Sequence, residues 1–400
     1  MTAIDERCTH FPIGRDAPYS LPAFYAGLCS TRASRVRMSD GRDAWFFHRH
    51  SDVQQLMLHP SLSSDRSDPG FPAISAGGKN AFEHFAPFLI SMDGSEHLRN
   101  RKPLIQHFSM KRMREFRPRI EVIVDDAIAE MVASGISGDI VTAISTKIPR
   151  RVIAEIMGVT PDHLSRFYEL AGRFLDRSLL ADDRDDLARA MRENMDALVE
   201  HKRVHRGDDV LSHEIARHEH EFGHVDVPAL ASLSQLMLLA GHESTSEMIT
   251  LGILALLTHP DERATLMAHP ERFPTAVTEL IRFFSVVEIG MARVATVDFD
   301  FAGVTVKAGD GLVASNIAAN RDAAVFDRPN ELILDRNPNP HLAQGFGAHH
   351  CIGMNLAQVE LGVVYERIFR ALPTLRASTD DLPFKYDGLI FGLSSLPVTW

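Results

Sequence analysis

The sequence predicts a mainly α protein with a small β region, on three observations. Apolar residues recur at helical spacing over most of the chain, extended alternation is confined to two short stretches, and no shift in composition divides the 400 residues. Hydrophobic residues make up 45% and charged residues 24%, which is enough to build a large core under a polar surface. With no linker rich in Pro, Gly or Ser, no low-complexity tract and no internal repeat, residues 1–400 are expected to form a single large domain.

In chain order, the first extended stretches are Arg35–Met38 and Ala44–Phe47. Segment Asp65–Ser91 follows, long and loop-like, with Gly70, Gly77, Gly78 and several aromatic residues. Loops of that length in a compact domain are usually functional or mobile. Helical periodicity then covers Pro118–Met131, Pro149–Met157, Pro161–Arg177, Asp182–Arg206, Val227–Leu257 and Pro270–Phe284. Several of these runs open on a proline in the first turn, as at Asp226-Val227-Pro228, where its missing N–H is no loss. Alternation returns at Ala292–Val306 with Gly303 as a hairpin turn, so the β region is expected near 35–48 and 288–308. Phe326–Arg336 reads as an ordered meander, and Met354–Leu372 as a last helix.

Several classes are disfavoured. Met1–Arg7 has no apolar h-region, so neither a signal peptide nor a membrane anchor is expected. The longest apolar stretch, Ala229–Leu257, is broken by His242-Glu243-Ser244-Thr245-Ser246-Glu247, which argues against a membrane span. Cys8, Cys29 and Cys351 are far apart and odd in number, pointing to a reducing cytoplasm rather than a disulfide framework. A formal net charge of −11 argues against a nucleic-acid partner.

The richest segment is Gln344-Gly345-Phe346-Gly347-Ala348-His349-His350-Cys351-Ile352-Gly353. It sets one cysteine in a glycine-rich loop just before a helix, where turn amides and the helix N-terminus favour a thiolate. Glycines at 345, 347 and 353 allow a close fold around the sulfur and against a flat cofactor. A thiolate so held is the axial ligand that pushes electron density onto heme iron. By itself the loop leaves a buried structural thiol equally open.

Three other groupings bear on the choice. Glu279 and Arg282 share a helical face in an apolar setting and suit a brace for the Cys351 loop. His97 and Arg101, four apart, share another face and offer two donors to carboxylates, with Arg293 as a third; a basic surface helix is the plainer account. In Ala240-Gly241-His242-Glu243-Ser244-Thr245 an acid and two hydroxyls interrupt an apolar helix. Gly241 costs about 1 kcal/mol there relative to Ala, so either a locally opened helix with a proton relay or a packing-driven kink is expected.

Taken together and in this order, the four groupings resemble the cytochrome P450 family, specifically its soluble bacterial heme-thiolate monooxygenases, from about Phe11 to Trp400. Ala319-Asn320-Arg321-Asp322 through Arg336 also resembles that family's meander. The resemblance implies the triangular cytochrome P450 fold and a heme b (iron protoporphyrin IX) cofactor. By it, Cys351 is the iron ligand, with Phe346, Gly347 and Gly353 in the heme-binding loop 344–353. His97, Arg101, Arg293 and His349 match positions that hold the propionates. Glu279 and Arg282 match the family's structural pair, and Glu243 with Ser244 (or Thr245) the acid and alcohol that deliver protons to dioxygen. Ala240, Val287, Ile390 and Phe391 fall at substrate-facing positions.

The implied reaction inserts one atom of dioxygen into a small lipophilic substrate, by hydroxylation or epoxidation. Electrons would come from a ferredoxin and its ferredoxin reductase, since no flavin or iron–sulfur motif is present. The run Arg99, Arg101, Lys102, Lys111, Arg112, Arg114 suits an acidic redox partner, or is a solvated helix face. A cytoplasmic monomer with no nucleic-acid or membrane partner is expected. Two positions depart from the family. Ser244 stands where threonine is usual, which frees the hydroxyl's rotamer. Gln344 stands where phenylalanine is usual, and an amide there would bond the sulfur or admit water, weakening the electron push.

Competing expectations are a heme-thiolate nitric oxide reductase of the same fold, a non-catalytic heme sensor favoured by Gln344, and a zinc hydrolase. The last rests on His220-Glu221-Phe222-Gly223-His224, which fits H-E-x-x-H. Gly223 and the new helix start at Asp226-Val227-Pro228 speak against the continuous helix that motif requires.

Overall fold

The computed structural model describes residues 9–15, 17, 19–28, 31–73, 88–174, 181–386 and 389–400. Met1–Arg7, Cys8, Cys29, Gly77 and Gly78 therefore lie outside the described residues. So does the middle of the Asp65–Ser91 loop.

The N-terminal part supplies β1 (Thr9–His10), α1 (Ala23–Gly27), β2 (Ala33–Arg37) and β3 (Asp43–Phe47). β2 and β3 pair antiparallel with Val36 opposite Ala44. Val36, Ala44 and Phe46 are buried, so their alternation reflects one core-facing side of the pleat. Next come α2 (His50–Met57), β4 (Leu62–Ser63), α3 (Gly94–Ile105) and α4 (Met110–Ala133). The expected helix at Pro118–Met131 thus begins earlier. Ser109 caps it by accepting from Arg112 N, and Pro118 is carried inside on the exposed face. Proline removes one main-chain bond, a loss offset by the packed face from Met113 to Met131.

After β5 (Ser137–Asp139), α5 (Lys147–Met157), α6 (Pro161–Phe174), α7 (Ala181–Val204) and α8 (Val210–Phe222) lead to α9 (Val227–Thr258). The 32 residues of α9 are apolar on nearly every side, as a helix through the core must be. It packs on α5 and α7, and against the later α13 (Met354–Ala371). α10 (Pro260–Ala268) and α11 (Phe273–Phe284) follow it.

The second β stretch holds β6 (Met291–Ala295), β7 (Phe299–Phe301), β8 (Val304–Val306) and β9 (Gly311–Ala314). The turn expected at Gly303 is present between β7 and β8, with Ala302 and Gly303 both left-handed (φ 52° and 85°). β6, however, pairs with β9 rather than across that turn. The sheet order β1-β2-β3-β9-β6-β4 joins chain ends separated by more than 200 residues. After α12 (Asn316–Ala319), the chain meanders without regular elements from Asn320 to the Cys351 loop, apart from a single 3₁₀ turn at Gly347–His349. Short strands β10 (Arg376–Ala377), β11 (Phe384–Lys385), β12 (Gly392–Leu393) and β13 (Pro397–Thr399) close the fold, β13 lying between β10 and β5. Among the described residues no helix is long and apolar enough to cross a membrane.

Candidate active site

Between α9, the start of β6 and the 343–353 loop lies a cavity of about 400 Å³, within the range of small-molecule sites. Cys351 faces it. Gly345 and Gly347 take left-handed conformations (φ 80° and 73°) that turn the loop tightly, and Cys351 N–H donates to Gln344 O at 2.8 Å. α13 begins three residues on, at Met354. Cys351 is exposed, and the expected help from the loop amides is present but is not the largest influence on the sulfur. Desolvation by the surrounding protein pushes the thiol up, outweighing the Gly353 amide and the Arg101 charge that pull it down. A metal ion coordinated by Cys351 would deprotonate its thiol outright.

One edge of the cavity is lined by Arg66, Arg293 and His349, while His97 and Arg101 stand outside the lining, against His349 and His350. His97 (1% exposed) and His349 stack with ring centroids 4.1 Å apart. His349 Nε2 lies 3.1 Å from Ser64 Oγ and 3.7 Å from Asp93 Oδ1. Arg101 donates to His350 O, and Arg293 Nη1 to Ala292 O at 2.7 Å. Burial brings Arg293 down to about 10, and burial followed by the Arg293 and His97 charges brings His349 down to about 3. The buried Nε2 of His97 has no hydrogen-bond partner. Three separate segments thus converge on a place suited to a group bearing carboxylates. Arg66, which also lines the cavity and acts on Arg293 by charge, was missed from the sequence. Its segment carries no periodic or motif signal that would have marked it.

Behind the loop, Glu279 and Arg282 are fully buried and form a two-pronged pair at 2.7 and 2.8 Å. Glu279 also accepts from Ile333 N, Arg336 Nε and Asn339 Nδ2, while Arg282 donates to Asn320, Pro329 and Glu331 carbonyls. Asn320 Oδ1 accepts from Leu342 N at 2.6 Å, carrying the brace to within two residues of Gln344. Arg336 and Asn339 are members of this hub that sequence spacing did not single out.

Across the cavity, Ala240, Ser244 and Thr245 line the wall. α9 runs unbroken past them, contrary to the opened helix considered above. Gly241 is explained by packing instead, since a Cβ there would lie 2.9 Å from Ile153 of α5. Ser244 Oγ donates to Ala240 O at 3.3 Å. Glu243 is not part of the wall, and its charge is felt by Arg150 on α5.

Of the expected substrate contacts, Val287 lines the cavity. Ile390 forms a β-bridge to Val287 but does not reach the wall. Phe391 is corrected to a core residue: it is fully buried, stacked on Phe384 at 5.9 Å, with the Arg15 guanidinium 3.9 Å over its ring. Phe346 and Gly353 do line the cavity, and so does Gly345. Gly347 itself packs against Met57 and Leu58 of the α2 end.

The H-E-x-x-H reading fails on geometry. α8 ends at Phe222, Gly223 is left-handed (φ 73°), and the two imidazoles do not share a helix. Among the described residues no group of three or more His, Cys, Asp or Glu is placed to hold a metal. In the basic run, Arg101 turns inward to His350 and Arg112 bonds Asp208 at 2.8 Å, leaving Arg99, Lys102, Lys111 and Arg114 exposed.

Comparison with known proteins agrees with this geometry. The cytochrome P450 family model matches residues 273–399. Over 399 residues the chain is 37% identical to cytochrome P450 105A3 of Streptomyces carbophilus, covering 98% of this chain and 95% of that protein. It is 36% identical to the vitamin D3 dihydroxylase of Streptomyces griseolus, with 98% and 96% covered. The crystal structure of cytochrome P450 MoxA from Nonomuraea recticatena superposes with a TM-score of 0.89 at 38% identity, each chain covered to 98%.

Proposed function

The chain belongs to the cytochrome P450 family as a heme-dependent monooxygenase, and on that premise we propose that it hydroxylates or epoxidises a mid-sized lipophilic molecule with electrons from a ferredoxin. The observation that carries this is the apolar cavity faced at one end by Cys351 and at one edge by Arg66, Arg293 and His349. A relative named for acting on vitamin D3 supports a lipophilic substrate.

When bound, heme b supplies the activation of dioxygen, one atom going to the substrate and the other leaving as water. Cys351 would hold its iron, and His97, Arg101, Arg293 and His349 would hold its two propionates, which would give the unpartnered His97 Nε2 a bond. Ser244 and Thr245 present hydroxyls to the cavity, and Glu243 behind them supplies protons to Ser244. Ala240, Val287, Val286 and Ile289 give the substrate an apolar wall that excludes water. On α3 the exposed Leu98 and Ile105 (60% and 51%) share a helical face with exposed Lys102, next to Arg99, and α4 adds exposed Lys111 and Arg114. Such a mix of apolar and basic side chains fits an acidic ferredoxin, itself reduced by a ferredoxin reductase. A monomer in a reducing cytoplasm suits this reading.

The test is the absorption spectrum of the reduced, carbon monoxide-bound protein. A strongly red-shifted Soret band, lost in Cys351→Ser, is expected, and a panel of lipophilic natural products scored by displacement of water from ferric heme then identifies the substrate class. Gln344, on the cavity wall beside Cys351, favours a second reading, a heme sensor with a weakened thiolate. Turnover of dioxygen with a surrogate ferredoxin would sink it.

A further inference from the structure

Behind the cavity-facing part of α9, three buried polar atoms lie without a hydrogen-bond partner: Arg150 Nε on α5, Tyr168 Oη on α6 and His242 Nδ1 on α9. They belong to one stack. The Arg150 guanidinium sits 4.1 Å over the Tyr168 ring, and the His242 ring meets the same ring edge-on with centroids 4.8 Å apart at 65°. An isolated unpaired atom is costly in a protein interior. Three gathered around one ring from three different helices are satisfied most simply by shared water, which bonds two to four partners.

We propose that Arg150, Tyr168 and His242 bind ordered water in a polar chamber between α5, α6 and α9, and that this water reprotonates Glu243. The inference rests on the proton-supplying role given to Glu243 above.

Glu243 adjoins His242 in sequence, and its charge interacts with Arg150 across the chamber. Burial, then the Arg150 charge, pushes His242 down to about 4, against a smaller pull from the Leu238 carbonyl. At neutral pH the ring is therefore uncharged and offers both a donor and an acceptor. Burial pushes the Tyr168 hydroxyl up, so it stays a donor. The other carboxylate facing Glu243 is Glu247, which is occupied by Lys385 and by Leu393 N–H. In each cycle Glu243 loses a proton toward the cavity, a chamber water gives it one, and that water takes one from bulk solvent. One proton enters for each one used, and no other bond changes.

The test uses the heme-loaded enzyme. A high-resolution crystal structure is expected to show ordered water bonded to the three atoms. His242→Phe fills the chamber and is expected to lower product formation about tenfold or more, diverting electrons to peroxide and raising the solvent deuterium isotope effect. The Soret band of the reduced carbon monoxide complex stays unmoved, and His242→Gln restores part of the coupling. Tyr168→Phe, which removes one hydroxyl, is expected to give a weaker loss of the same kind and serves if His242→Phe does not fold. A dry chamber, or wild-type coupling in both variants while Glu243→Gln is impaired, overturns the chamber alone. Wild-type coupling in Glu243→Gln overturns the relay reading beneath it.

Discussion

The Glu279 hub and the Arg150–Tyr168–His242 stack treat buried polar groups differently. On the Cys351 side, Glu279, Arg282, Arg336, Asn339 and Asn320 are knitted together, with each carboxylate oxygen of Glu279 accepting from several donors. Across α9, Arg150, Tyr168 and His242 each bury an atom with no partner. A dense network, in which Asn339 Oδ1 is left unpartnered, rigidifies what it touches, here the meander that delivers Cys351. Unsaturated groups instead mark a place where something else must bind. On the relay proposed above, the contrast would separate the part of this enzyme that holds still from the part that handles water and protons.

The largest expected effect comes from breaking the Glu279 hub. Glu279→Ala leaves the Arg282 and Arg336 guanidiniums buried and unpaired, and should cost about 3–5 kcal/mol. Urea unfolding and the fraction of protein retaining heme would register it, and a loss below 1 kcal/mol would show that the hub is not a brace. A similar cost, about 3–5 kcal/mol, is expected for Phe391→Ala, with ligand affinity unchanged in the protein that folds. Weakened binding without lost stability would return Phe391 to the substrate wall.

Glu360 on α13 sharpens the comparison, because it is a buried acid whose Oε1 has no partner yet lies on the structured side. Burial pushes it up to about 8 from an ordinary 4.5. The folded state therefore holds a proton that the unfolded state has released. The contribution of Glu360 to stability should be full below about 4.5 and fall by about 1.4 kcal/mol per pH unit up to about 8. Glu360→Gln should remove that slope, as chemical denaturation across the pH range would show; an unchanged slope would mean that Glu360 is ionised in the fold. The smallest effect belongs to the cavity wall. Ser244→Thr adds a methyl that restricts the hydroxyl rotamer, and should change stability by less than about 0.5 kcal/mol. Product per electron should rise slightly, and a fall would argue that Ser244 is already placed by its bond to Ala240 O.

Much of this was legible along the chain. The glycine-spaced Cys351 loop, the capped and uniformly apolar α9, the β2–β3 alternation and the Glu279/Arg282 spacing each carry their signal within ten to thirty residues. Periodicity, capping and positive-φ glycine are local properties, so local reading finds them. The start of α4 was misplaced because Pro118 looks like a first-turn residue, and packing of the helix around it overrode that cue.

Sequence by itself therefore determined the helical body, the cysteine loop and the kinds of side chain available for chemistry. Tertiary structure alone decided which of them meet. It joined Arg336 and Asn339 to Glu279, brought Arg66 to the rim, turned Phe391 into the core and Glu243 off the cavity wall, and stacked Arg150, Tyr168 and His242. The reason is physical. Each of these outcomes depends on side chains from segments distant in sequence competing for the same buried volume, and close packing settles that competition only once all the helices are in place.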